Sequence, residues 1–210
     1  MVLAAHYLQR NYGHGIGGRL IGLPITTGPF ILIVSIQEGR IFGARVAHGV
    51  LLGQIALTIF CWIYALASTR FSWWVSLGIG TASCLATGYL TTQFILPTFA
   101  VILLLSFVWF CAIKGWPDEI TISSNTTPPR WELPIRIFVT ITVLVGLANL
   151  APHLGANVSG ALSTYPVIAS VISAFNHRRH GPAATVATLR GLMETLPITV
   201  LFISILAFTL

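Results

Sequence analysis

The stretch LSTYPVIASVISAFNHRRHGPAATVATLRG, Leu162 to Gly191, contains in miniature the plan of the whole chain. From Pro166 to Phe175 it is apolar and free of charge, and Ser163, Thr164 and Tyr165 stand immediately before the proline. A short basic turn around Arg178 and Arg179 follows, and then a second apolar run. Proline lacks a backbone N–H and is favoured in the first turn of a helix, while hydroxyl residues make good N-caps. The stretch therefore predicts a lead-in, a break, a half-helix running on from Pro166, a basic turn, and a further span.

The rest of the sequence has the same character. Of 210 residues 55% are hydrophobic and only 8% charged, with mean hydropathy +0.86. A soluble domain carries about 25% charged residues, so a soluble enzyme and a disordered chain are both excluded. The pI near 9.8 comes from 11 cations scattered between apolar runs. No contiguous basic stripe results, and no nucleic-acid partner is expected. Cys61, Cys84 and Cys111 lie singly inside apolar runs, without disulfide or metal spacing. The first eighteen residues hold His6, Arg10 and His14 and no long apolar core, unlike a cleavable signal peptide.

Crossing a bilayer takes about 20 apolar residues. Seven segments approach this: Leu20–Ile36, Ala44–Ala67, Trp73–Leu90, Phe94–Ile113, Ile135–Ala151, Ser159–Phe175 and Ala183–Leu210. The expected fold is an all-α polytopic membrane protein of one domain, its partner the lipid bilayer. The polar stretch 115–133 is its one substantial loop, expected on the cytoplasmic side. If all seven cross, Arg10, Arg19, Arg70, Lys114, Arg130, Arg136, Arg178 and Arg179 share one side, and only Arg40 and Arg45 the other. If the first and sixth segments re-enter, the split is six to four. The stronger bias favours seven crossings with a cytoplasmic N-terminus.

An internal repeat is also legible. Ile25-Thr26-Thr27-Gly28-Pro29-Phe30-Ile31 is similar to Leu162-Ser163-Thr164-Tyr165-Pro166-Val167-Ile168, and Gly43-Ala44 falls opposite Gly181-Pro182. Repeat one covers about 1–68 and repeat two about 135–210. Five crossings separate the two starts, so the copies face opposite ways, a plan shared by many secondary transporters. Repeat two opens with a full helix, Ile135–Ala151, just before its glycines, whereas repeat one has only Met1–Tyr12 in the matching place.

Helix N-termini at two such breaks suit an anionic group or a carboxylate. The expected substrate site is Thr26, Thr27, Gly28 and Pro29 with Ser163, Thr164, Tyr165 and Pro166, joined by Arg190 and by Asn149 late in segment five. The same two breaks also read as proline-kinked helices with back-bonded hydroxyls. Ionisable groups inside membranes are functional suspects. Glu194 stands one turn beyond Arg190 on the same helical face. With Glu38 and His48 it is a candidate for proton coupling, with an internal or interfacial pair as the structural alternative. The histidines show no metal spacing, and no hydrolase motif is present. Neither cofactor, metal nor catalytic residue is expected.

The run Leu162–Gly191 resembles small GlpM-type membrane proteins, and Gly17–Gly53 looks like a second copy of that pattern. The resemblance implies a link with exopolysaccharide production and little about chemistry. In architecture alone, the paired broken helices look like those of cation–proton antiporters and bile-acid-type symporters. The leading expectation is a small secondary transporter of a bacterial inner membrane, moving a small anion or polar metabolite and working as a homodimer. The alternative is a non-transporting subunit of envelope polysaccharide or lipid biosynthesis. It would have a partner against the small residues Gly78, Gly80, Ala82, Ala86 and Gly88.

Overall fold

The computed structural model describes residues 2–25, 27–118, 131–150 and 165–210, and all regular structure among them is α-helical. The elements are α1 (Val2–Tyr12), α2 (His14–Gly22), α3 (Thr27–Glu38), α4 (Arg40–Ser68), α5 (Trp73–Gln93), α6 (Thr98–Lys114), α7 (Glu132–Leu150) and α8 (Val167–Thr209). Four stretches are long and apolar enough to cross a membrane: His14–Glu38, Arg40–Ser68, Leu133–Leu150 and Val167–Thr209. The chain is an integral membrane protein by this measure. The first predicted segment falls on α2 and α3 and the second to fifth on α4 to α7. The described part of the sixth falls on the first arm of α8 and the seventh on its second arm, while 159–164 of the sixth segment and 119–130 of the expected loop lie outside the described residues.

Three glycines turn the chain between helices. Gly13, Gly39 and Gly181 have φ of 93°, 92° and 79°, and no other described residue type has a positive φ. A Cβ would strain these corners, so only glycine holds them without cost. Gly181 divides α8 into an arm at 167–180 and an arm at 182–209, and Pro182 opens the second arm. The likeness of Gly43-Ala44 to Gly181-Pro182 in sequence does not extend to backbone conformation. Gly43 lies inside α4, buried against Ser35, and the residue with Gly181's conformation is Gly39. Sequence similarity matches residue types and is blind to φ.

The break in the first span is also displaced from its predicted position. The predicted half-helix runs from Pro29, but the helix starts at Thr27 and Pro29 sits in its first turn. The interruption lies between Gly22 and Thr27, around Pro24. Leu23 N–H bonds back to the Leu20 carbonyl at 3.4 Å, and Gly28 N–H reaches the Pro24 carbonyl at 3.0 Å. Pro24 offers no N–H of its own, which ends α2, whereas a first-turn proline such as Pro29 fits a helix that is already starting.

Directions follow from contacts. Gly28, at the start of α3, packs on the ring of Phe202 late in α8. Tyr64, late in α4, meets His177 just before the Gly181 corner. Thus α3 runs on alongside the second arm of α8, and α4 returns antiparallel to it. The unit α3–Gly39–α4 and the unit formed by the two arms of α8 have their corners at opposite ends of the bundle.

Helix α2 packs closely along the second arm of α8. Gly15, Gly18 and Gly22 repeat at one-turn spacing, so backbones can approach. A Cβ at Gly18 would collide with the Thr188 carbonyl, and one at Gly191 with the Gly15 carbonyl. The apolar core gathers around α4 and the second arm of α8, with Leu51, Phe60, Leu189, Leu192 and Ile203 at 3% exposure or less.

Candidate functional site

The first arm of α8 is the unusual element. Residues 167–180 rise about 21 Å at 1.5 Å each, short of the ~30 Å hydrocarbon thickness. Yet the arm is enclosed, with Val167, the run from Ala169 to Ala174, Asn176 and His177 all buried. Buried serines, an asparagine and a histidine on one enclosed half-length helix are costly unless something satisfies them.

At one face of this arm lies a polar network. Arg136 of α7 is 2% exposed. It donates from Nη2 to Asn176 Oδ1 at 2.8 Å and from Nη1 to Gln9 Oε1 at 3.3 Å. Its guanidinium carbon sits 5.4 Å from the centre of the Phe175 ring. Asn176 Nδ2 donates in turn to Thr188 Oγ1 at 2.8 Å, and Thr188 donates to the Ala184 carbonyl at 2.8 Å. Four chain segments (α1, α7 and both arms of α8) are tied by this network. Beside it the rings of His14 and His180 stand 4.9 Å apart, next to the Gly13 and Gly181 corners.

A second group faces α4 and α5. Tyr165 and Thr81 share a hydroxyl hydrogen bond of 3.1 Å, and Phe60 meets the Tyr165 ring edge-on at 6.3 Å. Tyr64 meets the His177 ring edge-on at 6.2 Å. The Tyr64 hydroxyl, Ser173 Oγ and His177 Nδ1 are buried without a hydrogen-bond partner among the described residues.

The broken first span is repaired from α8. At the end of α2 the carbonyls of Arg19 and Gly22 lose their helical donors at the break. Thr195 Oγ1 donates to the Arg19 carbonyl at 3.1 Å, and Thr199 Oγ1 to the Gly22 carbonyl at 2.5 Å. Two threonines one turn apart thus cap a helix end inside the bundle.

The predicted site residues are distributed unevenly over this frame. Thr26, Ser163 and Thr164 lie outside the described residues. Thr27, Gly28 and Pro29 form the first turn of α3, with Gly28 on Phe202 and Pro29 exposed. Pro166 is itself the N-cap residue of α8, one position ahead of the first-turn place expected for it, and the helix runs on from it. Tyr165 bonds Thr81 and packs on Phe60. The two breaks therefore have different described neighbours. Arg190 and Glu194 do pair, at 3.7 Å, but Glu194 is held more closely by Arg19 at 2.8 Å. All three side chains are partly exposed on the flank of the bundle. Glu38 is exposed at the end of α3. His48 Nδ1 lies 3.0 Å from Thr98 Oγ1, joining α4 to α6. Asn149 does not enter the core. It is exposed and its amide bonds back to the Val145 carbonyl at 2.8 Å, because helical rotation turns it outward.

Sequence reasoning counted Arg136 and Arg19 only as topology charges, and missed Gln9, Asn176, Thr188 and Tyr64 altogether. One signal was available: Arg136 begins an apolar span and Asn176 ends one, where partners across helices are common. No group of three or more potential metal ligands occurs among the described residues. No family model, curated protein or solved structure matches the chain.

Proposed function

We propose that the chain is a small membrane permease moving a small anion or polar metabolite past the enclosed half-helix of α8. The observation that carries this reading is the arm itself. Its described helix is shorter than the hydrocarbon is thick, is buried between longer helices, and has polar side chains on two faces. Broken helices next to polar residues at membrane depth are how small carriers expose backbone and side-chain groups to a solute. The two half-helix units with corners at opposite ends support an inverted repeat, and the arms of α8 support counting segments six and seven separately. The eight-to-two charge bias supports a cytoplasmic N-terminus in a bacterial inner membrane. A homodimer fits a chain of this size, and proton coupling through Glu194, Glu38 or His48 remains part of the proposal.

The test is solute flux into liposomes containing the purified protein, followed by light scattering after an osmotic step. Formate and lactate serve as anions, urea and glycerol as uncharged solutes. Faster equilibration of at least one solute than in protein-free liposomes supports the permease. Equal rates for all four overturn it.

A second reading has its own observation. On α5, Gly78, Ala82 and Ala86 are exposed at four-residue spacing, and a Cβ at Gly78 would meet nothing. Such a stripe supports close packing of a partner helix, as a biosynthetic subunit would require. Co-purification of a second membrane protein, lost on Ala82→Leu, favours that alternative.

A further inference from the structure

We propose that Tyr64, Ser173 and His177 form a binding position for one small uncharged molecule that both donates and accepts hydrogen bonds. The three groups come from facing surfaces. Ser173 and His177 are one turn apart on the first arm of α8, hence on the same face, and the Tyr64 ring of α4 stands 6.2 Å from the His177 ring. Tyr64 and Ser173 are each 0% exposed and His177 is 8% exposed. Each has a polar atom without a partner among the described residues.

Leaving a buried polar atom unpaired costs about 1–3 kcal/mol. Three such atoms, two on one face of the arm and the third on the ring that meets His177, are therefore better explained by an occupant than by chance. The chemistry of that occupant follows from the lining. A phenol and an aliphatic hydroxyl each donate and accept, and an imidazole Nδ1 does one or the other according to tautomer. None of the three is a carboxylate or a guanidinium, and the Phe60 ring lies against Tyr64 at 5.6 Å. This environment suits water or a solute of the urea or glycerol type over an ion, which would need charge compensation. Tyr165 and Thr81, hydrogen-bonded to each other two turns before Ser173, extend the polar line toward the start of the arm. The binding position stands on these contacts, while its role as a substrate site rests on the permease reading.

Two measurements test it on the full chain. The first is an experimental structure in lipid nanodiscs fine enough to show waters, alone and with urea or glycerol added. The second compares Tyr64→Phe and Ser173→Ala with the parent for thermal stability and for urea, glycerol and water flux in liposomes. The proposal expects density within hydrogen-bond reach of the three atoms and no gain in Tm in either variant. It also expects a loss of roughly fivefold in the flux of the uncharged species that binds, the equivalent of one hydrogen bond. Water density with a change in water flux alone identifies water as the occupant. If density is present but no solute moves faster than in protein-free liposomes, the binding position holds and the permease reading fails. Apolar side chains packed directly onto the three atoms, with both variants raising Tm, overturn the proposal, because removing a truly orphaned group stabilises.

Discussion

The indole Nε1–H of Trp109 donates to the backbone carbonyl of Met193 at 2.9 Å, and Met193 stands four residues before Pro197. In an unbroken helix that carbonyl would accept from residue 197, but proline has no N–H to give. Trp109 on α6 supplies the missing donor, so a defect on one helix is matched to a side chain on another.

A double-mutant cycle follows from this pairing. Trp109→Phe is expected to lower stability by about 1–3 kcal/mol, because the Met193 carbonyl loses its partner. In a Pro197→Ala background the alanine's backbone N–H takes that carbonyl, and the same substitution is expected to cost appreciably less. Thermal unfolding in detergent measures both. Equal costs in the two backgrounds would show that Trp109 contributes only packing.

The contact of α2 with α8 predicts a contrast between glycines. Gly18→Ala and Gly191→Ala push a methyl group into a facing backbone carbonyl and are expected to cost at least about 1–3 kcal/mol, the usual range for overpacking. Gly49, inside α4, has nothing within 4 Å of an added Cβ. Gly49→Ala is expected to be neutral or to stabilise by up to about 1 kcal/mol. Size-exclusion recovery and Tm of the three variants decide the point.

Thr195 and Thr199 cap the broken end of α2, which gives a third expectation. Thr199→Val keeps the shape and removes the hydroxyl from the Gly22 carbonyl. A loss of about 1 kcal/mol is expected, since interhelical hydrogen bonds in membranes are modest. Amide exchange across 19–25 should speed up while exchange in α4 stays unchanged. Uniform acceleration across the protein would point instead to global destabilisation.

Arg136 should not tolerate lysine. A single ammonium cannot reproduce the planar fork that spans Gln9 and Asn176. Arg136→Lys is expected to cost about 2 kcal/mol by leaving one buried oxygen unpaired. Arg136→Lys and Asn176→Ala should then be strongly non-additive, and additivity would dissolve the network as a unit.

At the bundle flank the expectation concerns charge order. Arg19→Glu should lower folded yield by setting two carboxylates together, and adding Glu194→Arg with Arg190→Gln, which keeps two cations from standing one turn apart, should restore it. Failure of the combined variant to recover yield would mean that the Arg19–Glu194 contact does not hold α2 to α8.

By itself the sequence determined that this chain is helical and belongs in a membrane, because apolar content and charge scarcity act through the solvent regardless of topology. It also determined that a helix runs on from Pro166 and that Arg190 stands beside Glu194. These depend on neighbours within about one helical turn. What only the tertiary structure decided lies between distant residues. Arg136 finds Gln9 across 127 positions and Asn176 across 40, and Trp109 finds Met193 across 84. The corner at Gly39 and the break at Pro24 rather than Pro29 were likewise settled by how the chain packs. Hydropathy and spacing record which surface a residue seeks. Which partner it meets there depends on helix rotation and crossing, and those are fixed only when all the helices have packed together.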